Sequence, residues 1–271
     1  MTLRGIARTL GLGRLLVRLR QVPGAGRSRT QWFYRRLHRI AVRGMGYGAS
    51  DWIDSGEAAL LVRLREQHPD VKVILDVGAN VGGWSRDASR AWPDARIYAF
   101  EPSVDTFRLL EETVRDLPVT TVRAALSDES GEALLHAVSG EPGLSSLHRR
   151  DLAAHNLAMT ATESVTLMRL DDYAADQGIH HIDLLKIDAE GHELAVLRGA
   201  VGLIEKGAID MIQFEFGGTC IDSRVFLRDF VRFLEPEYDI FRLLVDGLEP
   251  LVYSEYEELF STCNFFARRR V

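Results

Sequence analysis

From residue 71 onward the chain alternates short apolar runs with stretches whose apolar residues recur at helical spacing. Residues 71–76 (VKVILD) are a β-branched run that breaks at Gly78, which predicts a strand followed by a loop. Residues 83–92 then have the period of a helix. The alternation continues with a strand at 96–100 (RIYAF), a helix at 105–116 and a strand at 119–126. Residues 182–187 (IDLLKI) form a strongly apolar strand, and 192–206 the helix after it, with Gly207 as its stop. A strand at 209–214, a helix at 224–234 ended near Pro236, and strands at 238–245, 251–253 and 264–268 complete the series. Short extra strands are expected at 132–138 and 165–170, around a polar stretch at 139–163. Strands alternating with helices imply right-handed βαβ units. The expected fold is therefore a Rossmann-like, doubly wound α/β domain with a mostly parallel sheet.

In such a sheet ligands bind beyond the carboxyl ends of the strands, where the strand order reverses. Four predicted strands end in an acid: Asp76, Glu101, Asp188 and Glu215. Asp128 stands just after the third strand. A single acid at a strand end often caps the next helix. Five at the same end of one sheet point to a shared ligand site.

Composition narrows the class. Apolar residues make up 46% and charged residues 27%, the balance of a water-soluble globular chain. No apolar run approaches the roughly 20 residues of a membrane-spanning helix. The two cysteines, Cys220 and Cys263, have no CxxC spacing. That argues against a zinc site or a disulfide framework and fits a reducing, cytoplasmic compartment. The net charge of −6 conceals an asymmetry: residues 1–50 hold 11 Arg and no acid, so residues 51–271 carry 33 − 11 = 22 basic against 39 acidic residues. The expected division is a basic N-terminal arm at 1–50 and a catalytic domain at 51–271. An acidic body argues against nucleic acid as its partner. Within the arm, Leu3, Ile6 and Leu10 share one helical face, as do Leu15, Leu16 and Leu19, with Arg4, Arg8, Arg14 and Arg18 among them. Arg interrupts this region too often for a secretory signal. Two readings stay open: a peripheral contact with anionic lipid at the inner face of a membrane, or an arm that is solvated or packs on the acidic domain.

The segment Asp76-Val77-Gly78-Ala79-Asn80-Val81-Gly82-Gly83 links strand to helix. Gly78 permits a tight turn and a close ligand approach. Gly82 and Gly83 allow close packing at the helix start. A dinucleotide site prefers G-x-G-x-x-G with pyrophosphate on the helix N-terminus. Position 80 is Asn, which lowers a nicotinamide reading. S-adenosylmethionine carries no phosphate, and its amino-acid end can bond to backbone groups and to Asp76 or Asn80. Glu101, at the end of the next strand, is placed to accept both ribose hydroxyls. Asp128 is either an acceptor for the adenine amino group or a turn residue in SDESG.

The stretches ILDVGANVGGWS, YAFEPS, AALSD, GLSSL, LDDY, IDLLKIDAEGHELAVLRGA and IQFEFG resemble the FkbM family of S-adenosylmethionine-dependent methyltransferases, over about residues 71–268. The resemblance implies the seven-stranded class I methyltransferase sheet and O-methylation of a hydroxyl on a sugar, glycolipid or polyketide-type natural product. It also implies that Gly78, Asn80 and Glu101 contact the donor.

Methyl transfer to a hydroxyl needs alignment and a nearby base. Lys186, Asp188, Glu190, His192 and Glu193 cluster around one strand end. Alternation puts Lys186 and Asp188 on one face, where an ion pair would keep Asp188 charged. Asp188 is the first candidate for holding the acceptor hydroxyl, and His192 for general base. Glu190, His192 and Glu193 also suit a helix start with no catalytic role. Asp188 and Glu215 are weak candidates for Mg²⁺, with no third ligand in view. The segment GLSSL at 143–147 is a candidate lid, or a plain surface loop. Competing readings are a nicotinamide-dependent reductase, which lacks a Ser/Tyr/Lys set here, and an inactive fold serving as a binding protein. A nucleic-acid methyltransferase lacks its Asn/Asp-Pro-Pro-Tyr/Phe motif. The expected acceptor is a small molecule or a lipid-linked sugar.

Overall fold

The computed structural model describes residues 28–48, 52–139 and 141–270. The chain divides into two compact units, Met1–Met45 and Gly46–Val271. In the first, the described residues form a helix, α1 (Ser28–Gly44). The arm reading at 3–22 lies outside the described residues.

The second unit begins with α2 (Glu57–Gln67), β1 (Val73–Val77), α3 (Gly83–Ala91), β2 (Arg96–Phe100), α4 (Val104–Val114) and β3 (Val119–Val122). Next come β4 (Ala125–Leu126), β5 (Gly131–Val138), β6 (Glu141–Ser146), β7 (Ala161–Met168) and α5 (Leu170–Asp176). The chain then forms β8 (Ile182–Ile187), α6 (Glu193–Gly199), α7 (Val201–Glu205), β9 (Ile209–Phe216), α8 (Thr219–Ser223) and α9 (Leu227–Leu234). It ends with β10 (Tyr238–Leu244), β11 (Gly247–Pro250) and β12 (Cys263–Arg269).

Among the described residues the main sheet runs β3-β2-β1-β8-β9-β12-β10-β11. The neighbours from β3 to β9 pair in parallel, and β12 is inserted antiparallel between β9 and β10. The first seven of these strands form the doubly wound class I sheet. An eighth, β11, is added at the edge as a hairpin on β10 through a two-residue loop, Val245-Asp246. That turn moves the strand expected at 251–253 back to 247–250.

Parallel strands here are apolar because both faces are covered. All five residues of β1 are buried. On one face Ile74, Leu184, Met211 and Phe266 pack against Leu60, Leu61 and Leu64 of α2 and Trp84 and Ala88 of α3. On the other, Phe214 stacks on Phe230 of α9 at 4.8 Å and on Phe265 at 5.5 Å. Each such burial stabilises the fold by about 1.5–3 kcal/mol. The order reverses between β1 and β8, which places the candidate site there.

The region after β3 departs from the sequence reading. The strand expected at 119–126 breaks in two, and β4 leaves the main sheet to pair with β7. A second sheet forms in the order β4-β7-β5-β6. The polar stretch at 139–163 thus contains a strand, β6, whose backbone groups are paired by β5. The GLSSL segment belongs to this flap.

Candidate active site

The turn after β1 has φ +72° at Gly78. The N–H groups of Gly78 and Ala79 both donate to the Phe100 carbonyl, at 3.0 and 2.9 Å. A Cβ on Gly78 would lie 1.8 Å from the Asp188 carbonyl oxygen. The glycine is therefore demanded first by the crossing of two loops and only then by ligand approach. Gly82, at φ +84°, seats α3 on α4: a Cβ there would meet Leu110 Cδ1 at 2.8 Å. It is a packing glycine and does not line the cleft.

Beyond the strand ends lies a cleft of about 670 Å³, counting its open mouth. Glu101 lies on its floor, 7% exposed. Its Oε2 accepts the Asn80 N–H at 3.0 Å and its Oε1 the Ser103 N–H at 3.0 Å. Each oxygen keeps a lone pair for a further donor. Burial pushes its carboxyl up to about 7, partly offset by the two N–H bonds. Asn80, held at φ +49°, turns a buried Oδ1 with no partner among the described atoms. Pro102, Ala124, Ala125, Leu126 and Leu135 make an apolar wall.

These features fit S-adenosylmethionine. The Glu101 carboxylate matches a ribose diol, the Asn80 Oδ1 an ammonium donor, and the apolar wall an adenine ring. No Lys or Arg lines the cleft among the described residues, while Glu101, Asp188 and Glu190 do. That lining offers no cation to a pyrophosphate, and its acids suit the positive charge of a sulfonium.

Besides Gly82, two residues expected at the donor, Asp76 and Asp128, lie outside the cleft lining. Asp76 is 0% exposed and does not reach the cleft. Its Oδ2 accepts from Ser85 Oγ at 2.6 Å, and its Oδ1 is 3.1 Å from Lys186 Nζ. Asp128 is exposed in a turn, where its carboxylate accepts from Ser127 Oγ at 3.2 Å. The turn reading is the one its position supports.

Lys186 does not line the cleft either. It stands opposite Asp76 in the β1–β8 register and opposite Gln213 in β8–β9. Its Nζ is also 3.5 Å from Asp188 Oδ2. Burial alone would lower its pKa, but the charges of Asp76, Asp188 and Glu57 outweigh this and raise it. Lys186 is the counter-ion of a buried row of acids, a step removed from the chemistry.

Asp188 lines the cleft with its side chain 38% exposed. Beside it Glu190 takes φ +51°, and its Oε2 accepts from Arg150 at 2.6 Å. Burial, and next the Asp188 charge, push the Glu190 carboxyl up to about 8. Glu193 folds back so that Oε1 accepts the N–H of Ala189 and of Gly191, which shapes the loop. Burial raises it to about 7.

His192 lines the cleft, yet both ring nitrogens are occupied. Nε2 is 2.9 Å from Ser127 Oγ and Nδ1 is 3.1 Å from His148 Nε2. Burial, reinforced by His148, pushes its pKa down to about 4. A ring so held is a strut, and the general-base role expected for it finds no free nitrogen. His148 and Arg150 escaped the sequence reading. With Ser146, whose Oγ donates to the Glu190 carbonyl at 2.7 Å, they lie where the chain leaves β6 through a bend, the His148 N–H donating back to Ser146 Oγ at 3.1 Å. All three latch the flap onto the loop after β8.

Glu215, the other strand-end acid, is pushed well up by burial and by Asp188, Glu190, Glu193 and Glu57. Among the described residues, Asp188 and Glu215 belong to no group of three ligand side chains within 4.8 Å. Among the described residues, the group with ligand atoms within 4.8 Å of one another is His181, Asp183 and Asp210. Those residues start β9 or flank the start of β8, at the opposite end of the strands.

The raised acids set a pH dependence. Glu101, Glu193 and Glu190 hold protons in the folded chain where the unfolded chain has lost them. Their contribution is full below the ordinary carboxylate range and is lost as pH rises through about 7 to about 8. His192 is depressed, so its contribution is lost only on acidification and does not oppose this. Between about pH 6.5 and about pH 8.5 the melting temperature should fall by roughly 5 °C. Scanning fluorimetry across that window checks it, and a flat or rising profile would contradict the assignment.

The family model described as "Methyltransferase FkbM domain" matches residues 76–237. Hexuronic acid methyltransferase AglP of Haloferax volcanii is 29% identical over 167 residues, covering 60% of this chain and 64% of that protein. The 2-O-methyltransferase NoeI of Sinorhizobium fredii is 28% identical over 156 residues, covering 54% and 63%. The 31-O-demethyl-FK506 methyltransferase FkbM of Streptomyces tacrolimicus is 32% identical over 152 residues, covering 47% and 58%. The match thus spans about 60% of the length of these relatives. With its strand order, its carboxylate-floored cleft and the family match over more than half its length, the chain belongs to the FkbM methyltransferase family.

Proposed function

We propose that this protein transfers the methyl group of S-adenosylmethionine to a hydroxyl of a sugar, free or lipid-linked. The observation that carries the reading is the pairing of two acids in one cleft with different partners. Glu101 is spent on backbone N–H groups and faces the donor side. Asp188 is a lining acid with a half-buried carboxylate and a lysine behind it. When bound, the donor supplies an activated methyl on a sulfonium. Asp188 accepts the hydrogen bond of the acceptor hydroxyl and points its oxygen lone pair at the methyl. Lys186 stands 3.5 Å behind the Asp188 carboxylate, which receives the hydroxyl proton as the C–O bond forms and the bond from sulfur to the methyl breaks, leaving S-adenosylhomocysteine. Leu135 and the β6 residues Gly143 and Ser145 line the cleft on the flap side. A sugar acceptor is favoured because one relative is named for a hexuronic acid. Nucleic acid is disfavoured by the absence of any Lys or Arg from the lining among the described residues.

The test offers labelled donor with hexuronates and neutral hexoses, free and glycosidically linked. Asp188→Asn should lower transfer by about 10²–10⁴-fold and leave S-adenosylhomocysteine affinity within about threefold. Full transfer by that variant, or methyl appearing only on nitrogen acceptors, would overturn the reading.

A further inference from the structure

Helix α1 (Ser28–Gly44, SRTQWFYRRLHRIAVRG) divides along its length into two opposed arcs. At 100° per residue, Ile40, Phe33, Leu37, Ala41 and Tyr34 fall on one side. Arg35, Arg36, Arg39, Arg43 and His38 fall on the other. The helix contains no acid. The apolar side is bare: Phe33 is 54%, Leu37 49% and Ile40 64% exposed.

Two features need an external answer. Arg35, Arg39 and Arg43 stack at i, i+4, a like-charge column that destabilises a helix standing alone in water. The same helix also turns large apolar side chains to solvent. One surface relieves both, an anionic lipid interface: headgroups neutralise the column while the apolar arc sinks into the acyl boundary. Trp32 lies on the polar side with the Arg36 guanidinium 5.3 Å from its ring. That pair suits the headgroup level, where amphipathic rings collect. A second copy of the helix would bury the apolar arc but bring no acid to the arginines. No helix among the described residues is long and apolar enough to cross a membrane, so the helix would lie in the interface plane.

We propose that α1 is an interfacial anchor that holds the chain on an anionic bilayer. The proposal does not depend on the methyl-transfer reading, although it would bring the cleft to lipid-linked acceptors.

The experiment is flotation of the full chain with extruded vesicles of phosphatidylcholine alone, and of phosphatidylcholine with phosphatidylglycerol as minority lipid. Flotation is expected only with the anionic vesicles, and added salt should weaken it. The triple variants Phe33→Ser/Leu37→Ser/Ile40→Ser and Arg35→Gln/Arg39→Gln/Arg43→Gln should each weaken it by roughly tenfold or more. Thermal melting and S-adenosylhomocysteine affinity of the variants, measured alongside, should match the parent, which separates loss of anchoring from loss of fold or of the donor site. Failure of the parent chain to float with anionic vesicles would overturn the proposal. So would flotation of the apolar-face variant equal to the parent's, including the case in which that variant has only lost a dimer seen by light scattering.

Discussion

Glu101→Gln is expected to lower the affinity for S-adenosylhomocysteine by on the order of 100-fold. The two oxygens of Glu101 already accept backbone N–H groups from Asn80 and Ser103. Their remaining lone pairs are the ones offered to a ribose diol. An amide has one acceptor oxygen, and its NH₂ would face one of those N–H groups donor to donor. Two charge-assisted hydrogen bonds at about 1.5–3 kcal/mol each are at stake. The fold should lose less, because the buried carboxyl, pushed up to about 7, no longer has to ionise in the variant. The pH dependence separates the roles. In the parent, donor affinity should rise through about pH 7 as Glu101 ionises, with proton release on binding below that pH. In Glu101→Gln the profile should be flat. Calorimetry in buffers of different ionisation enthalpy reads both. Equal affinity in parent and variant would move the ribose away from Glu101.

Lys186→Met should destabilise the fold by about 3–5 kcal/mol. Asp76 is fully buried, and without the ammonium it keeps only the Ser85 hydroxyl. Glu57, bound to Gln213 in the same row, also loses the cation whose charge lowers its pKa. An unpaired buried carboxylate is the expensive state, so adding Asp76→Asn should recover part of the loss. Urea midpoints at neutral pH measure this. A loss under about 1 kcal/mol, the range of an exposed ion pair, would mean that Lys186 does not balance the buried acids.

The parts of the fold legible in the sequence are those whose burial writes a simple pattern. Strands β1, β2, β8 and β9 are covered on both faces and read as apolar runs. Strand β6 is polar and short, and exists because β5 lies beside it. Strand β4 is a two-residue departure that no local pattern announces. Helix α1 spreads its apolar residues among arginines, so its two arcs emerge only when wound at helical pitch.

The site follows the same logic. Glu101 and Asp188 were visible because they stand just past β2 and β8, where side chains reach the cleft. Asp76 resembles them in sequence, but β1 continues through Val77, so alternation turns its carboxylate into the core. Its partner Lys186 is set by strand register, which the sequence does not display. His148 and Arg150 meet His192 and Glu190 across 44 and 40 residues of chain, through a flap that had first to be recognised as a sheet.

What the cleft between β1, β2 and β8 binds decides whether this is a methyl-donor site. Isothermal titration of the full chain with S-adenosylhomocysteine and, separately, with NADH addresses it. Micromolar binding of S-adenosylhomocysteine with no heat from NADH is the predicted result. Binding of NADH with none of S-adenosylhomocysteine would contradict the assignment of Glu101, Asn80 and the acidic lining to a sulfonium donor.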